Sequence, residues 1–247
     1  KKINVTFYPE RFIQGYALEE FYQFPQIIGP VNKSSKIEFL KFLNKFSKEI
    51  IILKPIEAEL TKLFLNSYRY VQFSIANQFY KIADSAKLDY KRIDYAMRHK
   101  YKRGSIPSPG LTAGPCLFKD TMQLYSFSKN EFTLGINAMA TNEGIVNYIV
   151  EKIKLENNLS TKIVGILGMA FKAESDDIRN SLSYKLKKIL LIHSKQVLTT
   201  DPFVKNDNDI ISLSKVLKKS NILILATPHK IYKKIKTRKP VVDIWNS

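Results

Sequence analysis

From Pro55 the chain reads PIEAELTKLFLNSYRYVQFSIANQFYKIADSAK, with no glycine or further proline to interrupt it. Proline suits the first turn of a helix, where its missing N–H costs nothing. The stretch therefore predicts one helix of about thirty residues, roughly 45 Å at the usual rise per residue. That is longer than a small domain needs, so this helix must be the spine of a helical layer. Its apolar residues fall on more than one track: Leu60, Phe64, Val71 and Ile75 on one, Leu63, Tyr70 and Phe73 on others. A helix wetted on one side would not need this, so packing on several sides is expected, including against a second copy of the chain.

On either side of this spine the pattern changes to α/β. In residues 1–54, INVTFY, PQIIGP and EIIILK have strand character, and KIEFLKFLNKF has helical periodicity. After about residue 158 the pattern resumes. TKIVGILGMAF, KQVLTTDP, NILILAT and KPVVDIWNS read as strands, separated by helices at SLSYKLKKILLIHS and in the stretch ending VLKKS. Apolar strands alternating with helices predict a parallel sheet covered on both faces. Ligands of such sheets gather at the carboxyl ends of strands. That rule places residues 168–179, Asp201, Thr227 to His229 and Asp243 near a crevice. Three regions follow: 1–54, a helical 55–158 with further helices around 119–129 and 132–155, and 159–247.

The formal net charge of +18 raises the question of nucleic acid. The lysines are dispersed over helices and loops, and no zinc-ligand spacing, basic region or paired stacking motif accompanies them, so no nucleic-acid partner is expected. One cysteine cannot close an internal disulfide. No apolar run is long enough for a bilayer, so no membrane role and a cytoplasmic location are expected.

That cysteine, Cys116, lies in PSPGLTAGPCLFKD. Gly110, Ala113 and Gly114 would let the backbone approach a ligand, Lys119 would favour the reactive thiolate, and Asp120 would share a face with the sulfur if LFKD opens a helix. A small buried hydrophobe is the blander alternative for a lone cysteine. Lys62 and Asn66, four apart on the long helix, could stabilise charge growing on a substrate oxygen or be ordinary surface groups. Glu10, in YPERFIQG, could move a proton or form a surface ion pair. Lys172 and Arg179 suit phosphate, with Asp176 and Asp177 available to hold them or to cap the helix after Ser181. His99, His193 and His229 are too scattered for a metal.

Taken in order, YPERFIQGYALEEFYQFPQIIG, EAELTKLFLNSYRYVQFSIANQ, IPSPGLTAGPCLFKDT, GILGMAFKAESDDIRNS and KPVVDIWN resemble the UDP-glucose/GDP-mannose dehydrogenase family of nucleotide-sugar 6-dehydrogenases over nearly the whole chain. The resemblance implies an α/β fold in three parts: a remnant of an N-terminal Rossmann sheet (1–54), an all-helical dimerisation and catalytic domain (55–158), and a Rossmann-like UDP-sugar-binding domain (159–247). It implies NAD-linked oxidation of the C6 alcohol of a UDP-sugar through a Cys116 thiohemiacetal and thioester. Lys62 would stabilise the oxyanion, Asn66 position substrate or water, Asp120 assist proton movement and Glu10 serve thioester hydrolysis. Phe12, Leu117, Phe171 and Lys172 would meet the substrate, with Lys172 reaching its phosphates. Lys119, Arg179 and Gln14 would lie near NAD, and Gln14 replaces a glutamate found in many relatives. The forms PQIIG and KPVVDIWN lean towards the subgroup acting on N-acetylated hexosamines. A homodimer through the central helices and a UDP-sugar substrate are the implied partners. The family's GxGxxG dinucleotide fingerprint occurs nowhere in these 247 residues. The expectation is therefore a piece with little activity alone, to be completed by a separate N-terminal Rossmann fragment or left as a noncatalytic nucleotide-sugar-binding module.

Overall fold

A computed structural model describes residues 3–13, 15–47 and 49–245. Two compact units divide within the long helix, Lys1–Tyr68 and Arg69–Ser247.

The first unit is built on a three-stranded sheet. Strand β1 (Thr6–Phe7) precedes helix α1 (Ala17–Gln23), and β2 (Gln26–Pro30) leads through helix α2 (Lys33–Leu43) to β3 (Ile50–Ile52). Central β2 pairs antiparallel with β1 and parallel with β3. The first strand is shorter than INVTFY suggests, and Pro9 has no N–H with which to extend the ladder. Helix α2 is capped by Asn32, whose side chain accepts from the Ser35 N–H while the Asn32 backbone N–H donates to the Ser35 hydroxyl oxygen. That reciprocal cap satisfies two otherwise orphaned donors.

Helix α3 (Pro55–Ser85) is continuous, as its uninterrupted sequence requires. Leu63, Tyr70, Ala76, Asn77, Tyr80 and Ala83 are buried, whereas Phe64, Tyr68, Ile75, Phe79 and Ile82 are exposed. The multi-faced apolar pattern thus resolves into one buried stripe and one uncovered stripe.

In the second unit, α4 (Tyr90–Arg98), α5 (Leu117–Phe127) and α6 (Thr133–Glu156) precede a parallel sheet. Its strands are β4 (Ile163–Leu167), β5 (Gln196–Thr200), β6 (Ile222–Leu225) and β7 (Val241–Asp243), in the order β5-β4-β6-β7. Helix α7 (Leu182–His193) links β4 to β5, and α8 (Leu213–Lys219) links β5 to β6. The period of two along β6 sends Ile222 and Ile224 into one core and Leu223 and Leu225 into another. The first core includes Ile145, Val146, Ile149, Val150 and Ile153 of α6 and Leu182, Leu186 and Leu190 of α7. The second is closed by Val216 of α8 and Tyr232. Both faces are covered, which explains the nearly continuous apolar strands. Because α6 is itself a cover of this sheet, helices and sheet form a single unit.

Candidate functional site

The loop before α5 is fixed at two glycines. Asn77 and Asn142, both fully buried, bond to each other at 2.9 Å. Asn77 also accepts from the Gly110 N–H at 2.8 Å and donates to the Gly110 carbonyl at 3.1 Å. A Cβ on Gly110 would lie 2.3 Å from the Trp245 ring, and one on Gly114 would lie 2.7 Å from the Phe171 ring. Gly114 also has φ +107°, in the left-handed region glycine favours. The space at these glycines is thus occupied by Trp245 and Phe171, which corrects the expectation that it serves a ligand's approach. The glycines allow two aromatic rings to hold the loop.

Beyond this anchored loop Cys116 is exposed and stands at the N-cap of α5. LFKD therefore does open a helix, and the sulfur lies at its positive end. Asp120 is buried one turn on, and its carboxylate meets the Lys119 ammonium at 2.8 Å. That pairing raises the Lys119 pKa, with the Cys116 sulfur a lesser contributor. Lys119 thus interacts with both Asp120 and the Cys116 sulfur. Arg179 grips Asp177, with Nη2 2.6 Å from Oδ2. Asp177 raises the Arg179 pKa, and the Cys116 sulfur adds to the effect. The same contact holds the Asp177 carboxyl below its ordinary value. Asp177 therefore does hold Arg179, while Ser181 caps α7 by accepting from the Ser183 amide. The structure brings Cys116, Lys119, Asp120 and Arg179 into one electrostatic neighbourhood, with Phe171 packed two residues before the sulfur. Leu117 opens α5 half-buried; Lys172 is half-buried and engaged with a neighbour.

Within the first unit, Lys62 Nζ lies 3.6 Å from Glu10 Oε2 and donates to the Glu10 carbonyl. Glu10 also accepts from the Phe12 N–H, so its carboxylate closes its own turn. Phe12 packs edge-on against Phe21, with centroids 5.7 Å apart. Asn66, one turn beyond Lys62, is buried and has a partner. Gln14 lies outside the described residues.

At the sheet's carboxyl edge, Pro228, His229 and Asp243 line a cavity, as the strand-end rule led one to expect, while the Asp201 and His229 side chains themselves are buried. Asp201 Oδ2 accepts from the amides of Met169 at 2.7 Å and Ala170 at 3.0 Å and lies 3.1 Å from His229 Nε2. Asp201 Oδ1 accepts from the amides of Phe203 at 2.8 Å and Val204 at 3.1 Å. No group of His, Cys, Asp and Glu suited to a metal occurs among the described residues. None of their helices is long and apolar enough to cross a membrane.

Residues 56–144 match the central domain of the UDP-glucose/GDP-mannose dehydrogenase family, and residues 165–247 match its UDP-binding domain. The chain belongs to this family. Among curated relatives, the UDP-N-acetyl-D-mannosamine dehydrogenase of Pyrococcus horikoshii is 32% identical over 246 residues, covering 94% of this chain and 57% of that protein. The namesake from Campylobacter jejuni is 27% identical over 254 residues, covering 97% of this chain and 62% of its own. Among solved structures, UDP-D-ManNAc dehydrogenase from P. horikoshii superposes with a TM-score of 0.88 at 26% identity, covering 98% of this chain and 65% of that one. A UDP-glucose dehydrogenase from Pyrobaculum islandicum gives 0.86 at 25% identity, with coverage of 98% and 60%. The chain spans a little over half the length of the first curated relatives it matches.

Two sets of buried polar contacts escaped sequence reasoning. Asn77 and Asn142 lie on the buried stripes of α3 and α6, and an amide where the period demands an apolar residue was the available signal. The Asp201–His229 contact joins residues far apart in sequence, and only the fold reveals it.

Proposed function

We propose that these residues form the nucleotide-sugar and thiol half of an NAD-dependent 6-dehydrogenase acting on a UDP-N-acetylhexosamine, with Cys116 as nucleophile. The observation that supports this best is an exposed sulfur at the start of α5, behind a loop pinned at Gly110 and Gly114, in a chain of this family. The thiolate adds to the C6 aldehyde, forming the S–C bond as the carbonyl π pair becomes an alkoxide. Transfer of hydride from C6 to a dinucleotide held by a separate binding domain would turn this thiohemiacetal into a thioester. Water then adds, the C–S bond breaks, and the carboxylate leaves with the thiolate restored. Asp120, buried and bound to Lys119, is the proton carrier for that water. Glu10, Lys62 and Asn66 keep the roles the resemblance gives them: hydrolysis, oxyanion stabilisation and substrate or water positioning. Phe12, Leu117, Phe171 and Lys172 belong to the substrate side.

NAD is the family's hydride acceptor, but the residues present do not fit a whole dinucleotide. No strand-to-helix turn has the Gly-x-Gly that lets backbone amides cradle a pyrophosphate. Lys119 and Arg179 are cations suited to meeting part of one, and Gln14 is assigned there by resemblance alone. The 247-residue chain by itself is therefore expected to bind UDP saturably in calorimetry yet release no NADH from NAD and a UDP-sugar. Absence of saturable UDP binding would overturn the substrate assignment, and sustained NADH release would overturn the division of labour. The missing fingerprint also favours a second reading, a noncatalytic nucleotide-sugar module. On that reading a UDP-sugar aldehyde would not protect Cys116 from alkylation.

The uncovered stripe of α3, Phe64, Tyr68, Ile75, Phe79 and Ile82, is proposed as the homodimer face. Burying one such side chain stabilises by about 2 kcal/mol, and symmetry applies the gain twice. A Phe79→Glu chain is expected to elute as a monomer in light-scattering chromatography where the parent is a dimer. An unchanged mass would remove this face from consideration.

A further inference from the structure

The imidazole of His229 is fully buried at the end of β6, outside the chemistry assigned above. Its two nitrogens face different partners. The amide of Glu174 donates to Nδ1 at 3.0 Å, so Nδ1 presents a lone pair. Nε2, 3.1 Å from the Asp201 carboxylate, is then the nitrogen that carries hydrogen and donates. The ring is wedged between Phe203 and Tyr232, with centroids 5.1 Å and 5.6 Å away, which leaves it little freedom to turn.

These bonds converge on one loop. Asp201 accepts from the amides of Met169 and Ala170, the Thr227 hydroxyl donates to the Ala170 carbonyl at 2.6 Å, and His229 takes the Glu174 amide. Residues 169–174 are therefore tied at both ends to the tips of β5 and β6. Between the ties lie Phe171, whose ring fills the space at Gly114, and Lys172. We propose that His229 is a positioning residue: through Nδ1 it sets the far end of the 169–174 loop, and so places Lys172 for a nucleoside diphosphate and Phe171 against the turn into Cys116.

The proposal rests on the nucleotide-sugar reading for its ligand, but its geometry can be tested without one. Asparagine can offer an oxygen near the position of Nδ1, and glutamine can offer a donor near that of Nε2. His229→Asn should then keep the Glu174 bond, whereas His229→Gln should keep the Asp201 bond and free the Glu174 amide, leaving only the bond from the Lys230 N–H to the Glu174 carboxylate. In the 247-residue chain, His229→Gln is expected to speed hydrogen exchange at the Glu174 amide about tenfold and to weaken UDP binding about tenfold, the loss of one buried hydrogen bond in each case. Iodoacetamide modification of Cys116, the sole thiol, should change rate in the same variant. His229→Asn should stay close to the parent in all three, even where both variants melt earlier. A purely structural histidine would instead make both variants shift together, and that result, or no shift in either, overturns the proposal. A parent chain that fails to bind UDP sinks the substrate assignment, while the amide and thiol readouts still decide the role of His229.

Discussion

Uronate formation is expected to disappear when Cys116 is replaced by serine in the chain assembled with a dinucleotide-binding domain. The fall should be about a thousandfold or more, equivalent to roughly 4 kcal/mol of barrier at 1.36 kcal/mol per tenfold. A serine hydroxyl keeps the position and most of the volume, but it is a far weaker nucleophile at neutral pH than a thiol with some thiolate present. It also gives an oxygen ester in place of a thioester, a poorer substrate for hydrolysis. On the proposed mechanism the first hydride transfer, from the C6 alcohol, does not use the sulfur. The variant should therefore release aldehyde, detectable by hydrazine trapping, with NADH limited to one equivalent per sugar. Acid production close to the parental rate would end the covalent proposal. The chain offers a direct companion measurement, since its lone thiol is exposed and a UDP-sugar aldehyde should slow its alkylation.

The repetitive parts of the fold were legible because periodicity writes them locally. The long helix follows from the absence of breakers after Pro55, and the parallel sheet from continuous apolar strands separated by helices. Helix α1 was not legible from period: it is seven residues long and buries none of them, so no stripe marks it. The chemical motif around Cys116 was visible as a motif, yet the purpose of its glycines was not. Gly110 and Gly114 looked like room for a ligand, and they are room for Trp245 and Phe171. Lys119 looked like a partner for the sulfur, and it interacts with the adjacent Asp120 as well. In each case the missing information was a tertiary neighbour far away in sequence or the direction of one side chain, neither of which a linear pattern carries. Lys62 and Glu10 illustrate the same limit from the other side. The proton-transfer and ion-pair readings of Glu10 both stood open in the sequence; the fold adds the Lys62 contact and leaves the proton-transfer role as a proposal.

Acid should destabilise the second unit through Asp201. Burial pushes this carboxyl up, but the hydrogen bonds from His229 and from the amides of Ala170, Met169 and Phe203 outweigh it and hold the pKa at about 2. An unfolded aspartate titrates near 3.9. Because the folded value is the lower one, folding favours the ionised form. The stabilisation is complete above about pH 4 and is lost as the pH falls towards 2, amounting to roughly 2.5 kcal/mol for a shift of nearly two units. Asp201→Asn removes that titration at a cost. One oxygen becomes an NH2 facing N–H donors on either side, so a further loss of about 2–4 kcal/mol at neutral pH is expected from unsatisfied buried groups. Urea unfolding of both chains between pH 2.5 and 6 measures the two effects separately. Asp177 and Asp207, also held below their ordinary values, contribute to the slope in both chains and cancel in the comparison. The parental curve should fall towards that of the variant as the pH drops. Curves that stay parallel across the range would mean that Asp201 contributes nothing through its charge, and that the loop from Met169 to Glu174 is held by packing instead.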